Sequence, residues 1–459
     1  MARIMNQIKN TMDMCNGPLF KQILFYSLPL LGTVILQITF GMADMIVVGR
    51  YRGPESVGAV GSTSSLIILI LNFFFGLSVG TSILAANFFG SKNLSLLRRL
   101  SYTSIAVGIW GGIFMAILGQ IISEPILSWM GTPKENLSKA VTYMSIYFLC
   151  MPALMVNVFG SALLRAVGDT KRPLYFLIYS GIVNVVLNFI LVAYFGLDVD
   201  GVAWATSASQ CISAVLVMRA LMERDGVFLF KFKFLGIDWK LLKRMLSLGI
   251  PACIQSSCFS FSNVLMQSAV NSLGAIAVNG NGIAQNLEGL VYTGSGAYHN
   301  TTVAFVAQNE GGGNRARSIR SIKYCILLGF LIPEIMGLLF TIFGPEVSLF
   351  YAPAAKEEEV AACMSRILVT FPIYGLCGIM DVVSGALRGV GSTISSTIIM
   401  LLSVCAIRVC WVYFVFPSHS SIKELMISYP ITWTLSIIIC SIYLIYKLIK
   451  LRGKSVSFA

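Results

Sequence analysis

Apolar residues in this chain run together in stretches of about 20 or more, divided by short polar loops, the pattern of helices that cross a bilayer. Six stretches occupy residues 20–49, 56–90, 97–121, 138–165, 173–196 and 201–222. Six more occupy 243–271, 276–310, 320–344, 360–388, 393–416 and 423–447. Several exceed the hydrocarbon thickness, which predicts tilted helices or helices projecting past the membrane. The chain reads as an all-α membrane protein with twelve transmembrane helices.

The polar residues that interrupt these runs carry the information. Residues 27–49, SLPLLGTVILQITFGMADMIVVG, hold one carboxylate, Asp44. An ionised Asp in hydrocarbon costs about 2.5–3.5 kcal/mol on insertion scales, so it must be neutralised, paired or turned to a wet cavity. Gln37 lies two turns earlier on the same face. The other reading of Asp44 is an interfacial residue paired with Arg50 or Arg52. Asn184 and Asn188 share a face of the fifth helix, as Thr206 and Gln210 do on the sixth. With Gln37 and Asp44 they can line one pocket, or they are interhelical hydrogen bonds worth about 0.6 kcal/mol each.

The second half carries Glu288, Glu334, Asp381 and Arg408 inside apolar segments. Arg408 needs an anionic partner, with Asp381 and Glu288 available, and a structural ion pair is the plain alternative to a site. Glu334 follows Pro333 and is expected at the outer interface. Arg165 and Arg388, with Gly168 and Gly391 just after, read as inner-side anchors before a turn. Tyr292 and Trp204 are candidates to stack on a flat or cationic ligand.

Basic residues fix the orientation. A cytoplasmic N-terminus leaves only Arg50, Arg52, Lys134, Lys139, Lys356 and Lys423 outside. The inner side then holds 25, including Arg3, Lys9, Arg452 and Lys454, so both termini are expected inside. The chain also repeats itself. GSALLRAVGDT (160–170) returns as VSGALRGVGST (383–393), GSTSSL (61–66) aligns with GIAQNL (282–287), and ANFFGSKN (86–93) aligns with AQNEGGGN (307–314). Each half holds an even number of helices, so the two halves have the same orientation. Two pseudo-symmetric six-helix lobes around a central cavity are expected. Their limits are 1–222 and 243–459, with a basic cytoplasmic linker at 223–242.

Composition narrows the class. Mean hydropathy is +0.80, and only 12% of the 459 residues are charged, about half the soluble average. The net charge of +13 is spread over short loops, which topology explains better than nucleic acid does. Residues 1–16 lack the apolar core of a signal peptide. The eleven Cys show no metal-ligand spacing, and His299 and His419 are the only histidines. No Walker loop, dinucleotide fingerprint, Ser-His-Asp grouping or HExxH is present, which argues against an enzyme and against ATP hydrolysis on this chain.

The twofold repeat, SLPLLGTVILQITFGMADMIVVGR, LLRAVGDTKRP, GALRGVGST and FVAQNEGGGN resemble the multidrug and toxic compound extrusion (MATE) family. The likeness runs from about Pro18 to Lys447, and RVCWVYFVFP (408–417) followed by SYPITW (428–433) resembles a bacterial branch. The resemblance implies a V-shaped pair of lobes in the cytoplasmic membrane that expels organic cations in exchange for H⁺ or Na⁺. It implies ion coupling at Asp44, Asn184, Asn188 and Thr206, with Glu288 and Asp381 in the second lobe. Substrate contacts are implied for Gln37, Asp44, Asn157 and Asn184, and Asp44 is the position for a Na⁺ ion. Asn188 departs from relatives that carry a second aspartate there, and residues 250–266 lack the carboxylate of some Na⁺-coupled members.

The expected mechanism is alternating access, with helix 1 bending near Pro29 as Asp44 takes up its ion. No cofactor beyond the coupling ion is expected; the partners are small organic cations and the bilayer, not nucleic acid, and the chain is expected to be a monomer. The alternative is a lipid-linked saccharide flippase of the same superfamily fold. That cargo would need a cationic cavity, whereas most intramembrane charges identified here are acidic.

Overall fold

The computed structural model describes residues 11–450 without Ala354 and His419, and without the side chains of Pro54, Ser65 and Lys134. Arg3, Lys9, Arg452, Lys454, His419 and the Lys134 side chain, all named above, lie outside the described residues. All regular structure among the described residues is helical.

Six rods make the first half: α1 (Leu19–Arg52), α2 (Pro54–Gly90), α3 (Leu94–Trp129), α4 (Lys134–Leu149 and Met151–Ala166), α5 (Lys171–Asn188, then a π segment Phe189–Tyr194) and α6 (Val199–Leu221). In the second half α7 (Trp239–Asn271), α8 (Ala275–Gly311) and α9 (Arg315–Ile342) lead to α10 (Glu357–Thr370 and Gly375–Gly389). There follow α11 (Thr393–Met400, a π segment Leu401–Ala406, Ile407–Cys410, and a second π segment Trp411–Val415) and α12 (Ile422–Lys450). Among the described residues eight helices are long and apolar enough to cross a membrane, and ten when each bent pair counts as one span. The two that fall short, α7 and α8, carry amide and hydroxyl side chains along their length.

The sequence repeat extends to backbone devices. Gly53 and Gly274 begin α2 and α8 with φ of 81° and 94°, a left-handed conformation cheap only for glycine. Asn93 and Asn314 cap α3 and α9, their side chains accepting from the Leu96 and Arg317 amides at 3.1 and 3.2 Å. α4 bends by 51° and α10 by 54°. Each bend lies beside a proline, Pro152 or Pro372, which removes an amide donor and clashes with the preceding turn. α5 and α11 both carry π segments.

Two compact units result: Met1–Asp13 with Leu28–Gly249, and Met14–Ser27 with Ile250–Ala459. The divisions fall inside α1 and α7, one residue before Pro29 and Pro251 respectively. Within the second unit Arg317 clasps the segment before α1. It donates to the carbonyls of Met14 (2.7 Å), Asn16 (3.0 Å) and Gly17 (2.9 Å) and to Gln22 Oε1 (2.7 Å). Helices close on one another through small residues, as membrane packing requires. A Cβ on Gly112 would strike the Pro152 backbone, and one on Gly378 the Gly329 carbonyl.

Candidate functional site

In the first unit, α1 presents Asp44 to α5. Asn188 Nδ2 donates to Asp44 Oδ1 at 2.5 Å and to Asn184 Oδ1 at 3.3 Å. Asn184 Nδ2 in turn donates to Thr206 Oγ1 of α6 at 3.4 Å. The one-turn spacing of Asn184 and Asn188 puts both amides on the same face, and both are buried. Asn188 Oδ1 is enclosed with no hydrogen-bond partner. It stands as an unused acceptor beside the carboxyl. The α-helix gives way to a π segment immediately after Asn188. Such insertions widen the turn and occur at functional sites.

Asp44 is partly buried and forms no ion pair among the described residues. Arg52 instead donates to the Val192 carbonyl at 2.5 Å, inside that π segment. The arginine reading of Asp44 is therefore corrected. The wider turn leaves a carbonyl free for a donor, and Arg52 goes there.

The predicted residues do not all converge. Asp44, Asn188, Asn184 and Thr206 form one chain. Asn157 pairs separately with Gln210, donating at 3.3 Å, and accepts from Ser161 at 3.2 Å. Gln37 is exposed and makes no hydrogen bond among the described residues. Trp204 and Tyr292 are 49% and 46% exposed, so each ring has a free face.

The second unit buries charge differently. Glu288 is held by Arg366, whose Nε donates to Oε2 at 2.9 Å and whose Nη2 also reaches it, while Tyr374 donates to Oε1 at 3.1 Å. Arg366 Nη1 donates to Asn281 Oδ1 at 2.7 Å. Glu288 thus presents no free carboxylate oxygen, and its expected partner, Arg408, is elsewhere. Arg408 pairs with neither Glu288 nor Asp381; it lies over the Tyr429 ring, 3.9 Å from the centroid.

Asp381 is buried with Oδ2 unsatisfied. Its backbone carbonyl meets His299 Nδ1 at 2.9 Å. Arg388 is also corrected: it is no surface anchor but is 6% exposed and donates to Gln255 at 2.8 Å, because the last turns of α10 are wholly enclosed. Glu334 accepts from the Gly375 amide at 2.8 Å, an N–H left free where α10 restarts after its bend.

Sequence reasoning missed Arg366, Tyr374 and Tyr429. A signal was present for the first: Glu288 needed a cation, and Arg366 stands inside the apolar stretch 360–388. The arrangement in the first unit can bind a proton or a small cation at oxygen. That in the second unit is a locked pair beside two incompletely satisfied arginines.

A family profile described as MatE matches residues 29–190 and 251–414. The chain is 28% identical over 430 residues to the probable multidrug resistance protein YoeA of Bacillus subtilis, covering 92% of each. It is 24% identical over 392 residues to the probable multidrug resistance protein NorM of Thermotoga maritima, covering 84% of each. A MOP superfamily transporter from Pyrococcus furiosus Vc1 shares the fold with a TM-score of 0.89 at 20% identity, over 96% of this chain and 98% of that one. A MATE structure in complex with MaL6 matches with a TM-score of 0.88 at 20% identity, over 96% and 99%.

Proposed function

The chain belongs to the MatE family, and we propose that it is a secondary antiporter exporting organic cations in exchange for H⁺ or Na⁺ by alternating access. The observation that carries this reading is Asp44, a carboxylate in a membrane helix hydrogen-bonded to a neutral amide, with no arginine or lysine paired to it among the described residues. A negative group so placed can be neutralised in turn by a coupling ion and by a cationic drug, and competition at one charge is sufficient for exchange. The unused Asn188 oxygen beside it suits either a protonated carboxyl or a Na⁺ ion. The names of the bacterial relatives support a multidrug cargo.

Pro29 lies 15 residues before Asp44 on the same helix, and the amide it lacks leaves α1 free to bend there. One carboxylate makes exchange of one ion for one monovalent drug electroneutral. Only the ion's chemical gradient then drives it, about 1.4 kcal/mol per tenfold ratio. The test is efflux from proteoliposomes under separately imposed pH, Na⁺ and voltage gradients. Efflux should follow the pH or Na⁺ gradient, ignore voltage, and fall about a hundredfold in Asp44→Asn. Unchanged efflux in that variant sinks the reading.

A further inference from the structure

The segment that joins the two repeats is pinned in place. Val227, Phe228 and Phe230 are each 3% exposed or less. The Val227 carbonyl accepts from Arg98 Nε at 3.1 Å, and the Phe230 amide donates to the Leu221 carbonyl at 3.0 Å. Further along, the Asp238 amide donates to Thr103 Oγ1 at 3.1 Å, and the Asp238 carboxylate takes Arg99. Leu229, between two buried phenylalanines, is held at φ 48°, a left-handed conformation that a leucine adopts only where its surroundings impose it. All these contacts lie within the first unit, at the start of α3 and the end of α6. Both helices are long and apolar enough to span, so their ends are where the chain passes lipid headgroups.

What the clamp holds outward is apolar and basic together. Lys231 and Lys233 alternate with Phe232 and Phe234 about a 3-10 turn, and all four are exposed, the two rings by 56% and 57%. Trp239, 73% exposed, opens α7 with Lys240 exposed beside it. Phe232 packs on Phe230 and Phe234 on Tyr102, ring centroids 5.6 and 6.0 Å apart, so the outer rings are braced from behind. Among the described residues none of these three lysines has a carboxylate partner, and Asp238 is engaged by Arg99. Exposed rings gathered this closely mark an interaction surface. Rings interleaved with lysines suit the headgroup level of a bilayer, where aromatic groups settle among the ester groups and ammonium groups meet phosphate.

We propose that residues 231–234, with Trp239 and Lys240, are a docking surface for acidic phospholipid headgroups of the membrane the chain spans. The lysines complement the lipid phosphate, the rings enter the interface, and the clamp on α3 and α6 sets their depth. A zwitterionic headgroup offsets its own phosphate, so the lysines select a lipid with net negative charge. This surface is independent of the cargo and goes beyond the exporter reading.

The test uses purified full-length protein in nanodiscs holding one copy each, made of phosphatidylcholine alone or of about three parts phosphatidylcholine to one of phosphatidylglycerol. Acrylamide, a neutral quencher, reads the exposure of Trp239, isolated as the difference between wild type and Trp239→Phe. Acidic lipid should lower the Trp239 quenching constant about threefold. Lys231→Gln, Lys233→Gln and Lys240→Gln together should return it to the phosphatidylcholine value with the melting temperature unchanged, and arginine at the same three positions should keep the shielding. Quenching that ignores the lipid, or shielding that survives the glutamine variant, overturns the proposal. Equal shielding in both discs would mean an anchor blind to headgroup charge and overturn the assigned occupant. Glycerol phosphate added to phosphatidylcholine discs should change nothing; shielding there would make the occupant a free anion and overturn the proposal likewise.

Discussion

The two compact units share a scaffold but not an interior. The first keeps its ion pairs near helix ends, Lys139 with Asp198 at 3.0 Å and Arg99 with Asp238 at 2.5 Å. Inside, around Asp44, it uses neutral amides. The second carries Arg366, Arg388 and Arg408 inside, each under a tenth exposed, together with Glu288 and Asp381. Caps, proline bends and π segments recur in both halves. Duplication has preserved the devices that shape backbone while the chemistry they display has diverged. Electrostatics that differ this much between matching elements point to a division of labour, not to two copies of one site.

The contrast can be broken most forcefully in the second unit. Arg366→Leu leaves Glu288 buried without its cation and should cost about 3–5 kcal/mol, seen as a lowered melting temperature in detergent, while Arg366→Leu with Glu288→Leu should recover most of it. A single variant as stable as wild type would mean that Glu288 reaches water. In the first unit Asp44→Asn should do the opposite, leaving stability unchanged while gradient-driven efflux falls about a hundredfold, roughly 2.8 kcal/mol in the barrier.

Asn188→Ala removes one hydrogen bond to a charged group, worth about 1.5–3 kcal/mol. It should move the pH or Na⁺ midpoint of efflux by about tenfold or more. Cys410→Ala, which like Asn188 stands immediately before a π segment, should move it not at all. Equal responses would abolish the proposed asymmetry.

The smallest effect lies at the surface. Burial pushes the Asp198 carboxyl up, but the Ser56 hydrogen bond at 2.5 Å and Lys139 outweigh it and hold the group below its ordinary value. A depressed carboxylate stabilises the fold above its unfolded pKa and loses that contribution as pH falls through the folded value. After allowance for solvent screening, Asp198→Asn should cost about 0.5 kcal/mol at pH 7. Denaturant titrations should show that difference vanishing as pH falls through the depressed folded value of the Asp198 carboxyl.

The helices and the repeat were legible because uninterrupted apolar runs and glycine-asparagine boundaries are local signals. The Asp44–Asn188–Asn184–Thr206 chain was legible too, since one-turn spacing sets a common face. Partner choice was not. Arg388 looks like an anchor at a helix end, yet that end lies within packed helices. Arg366 stands near the start of a predicted span, where a cation ordinarily meets headgroups. Nothing in a hydropathy pattern marks the π segments that send Arg52 to Val192 or surround Arg408, because one widened turn barely disturbs a period read over many residues. Gln37 shares the face of Asp44 by spacing alone, and a helix of 34 residues extends that face beyond the site's reach.

The clasp formed by Arg317 bears on how the chain is made. The carbonyl of Met14 waits for a guanidinium 303 residues downstream. A nascent chain halted after α6 therefore holds the carbonyls of Met14, Asn16 and Gly17 before the guanidinium that meets them exists. Severing the gene at the repeat boundary should strand that segment, and co-synthesis of both fragments should rescue it.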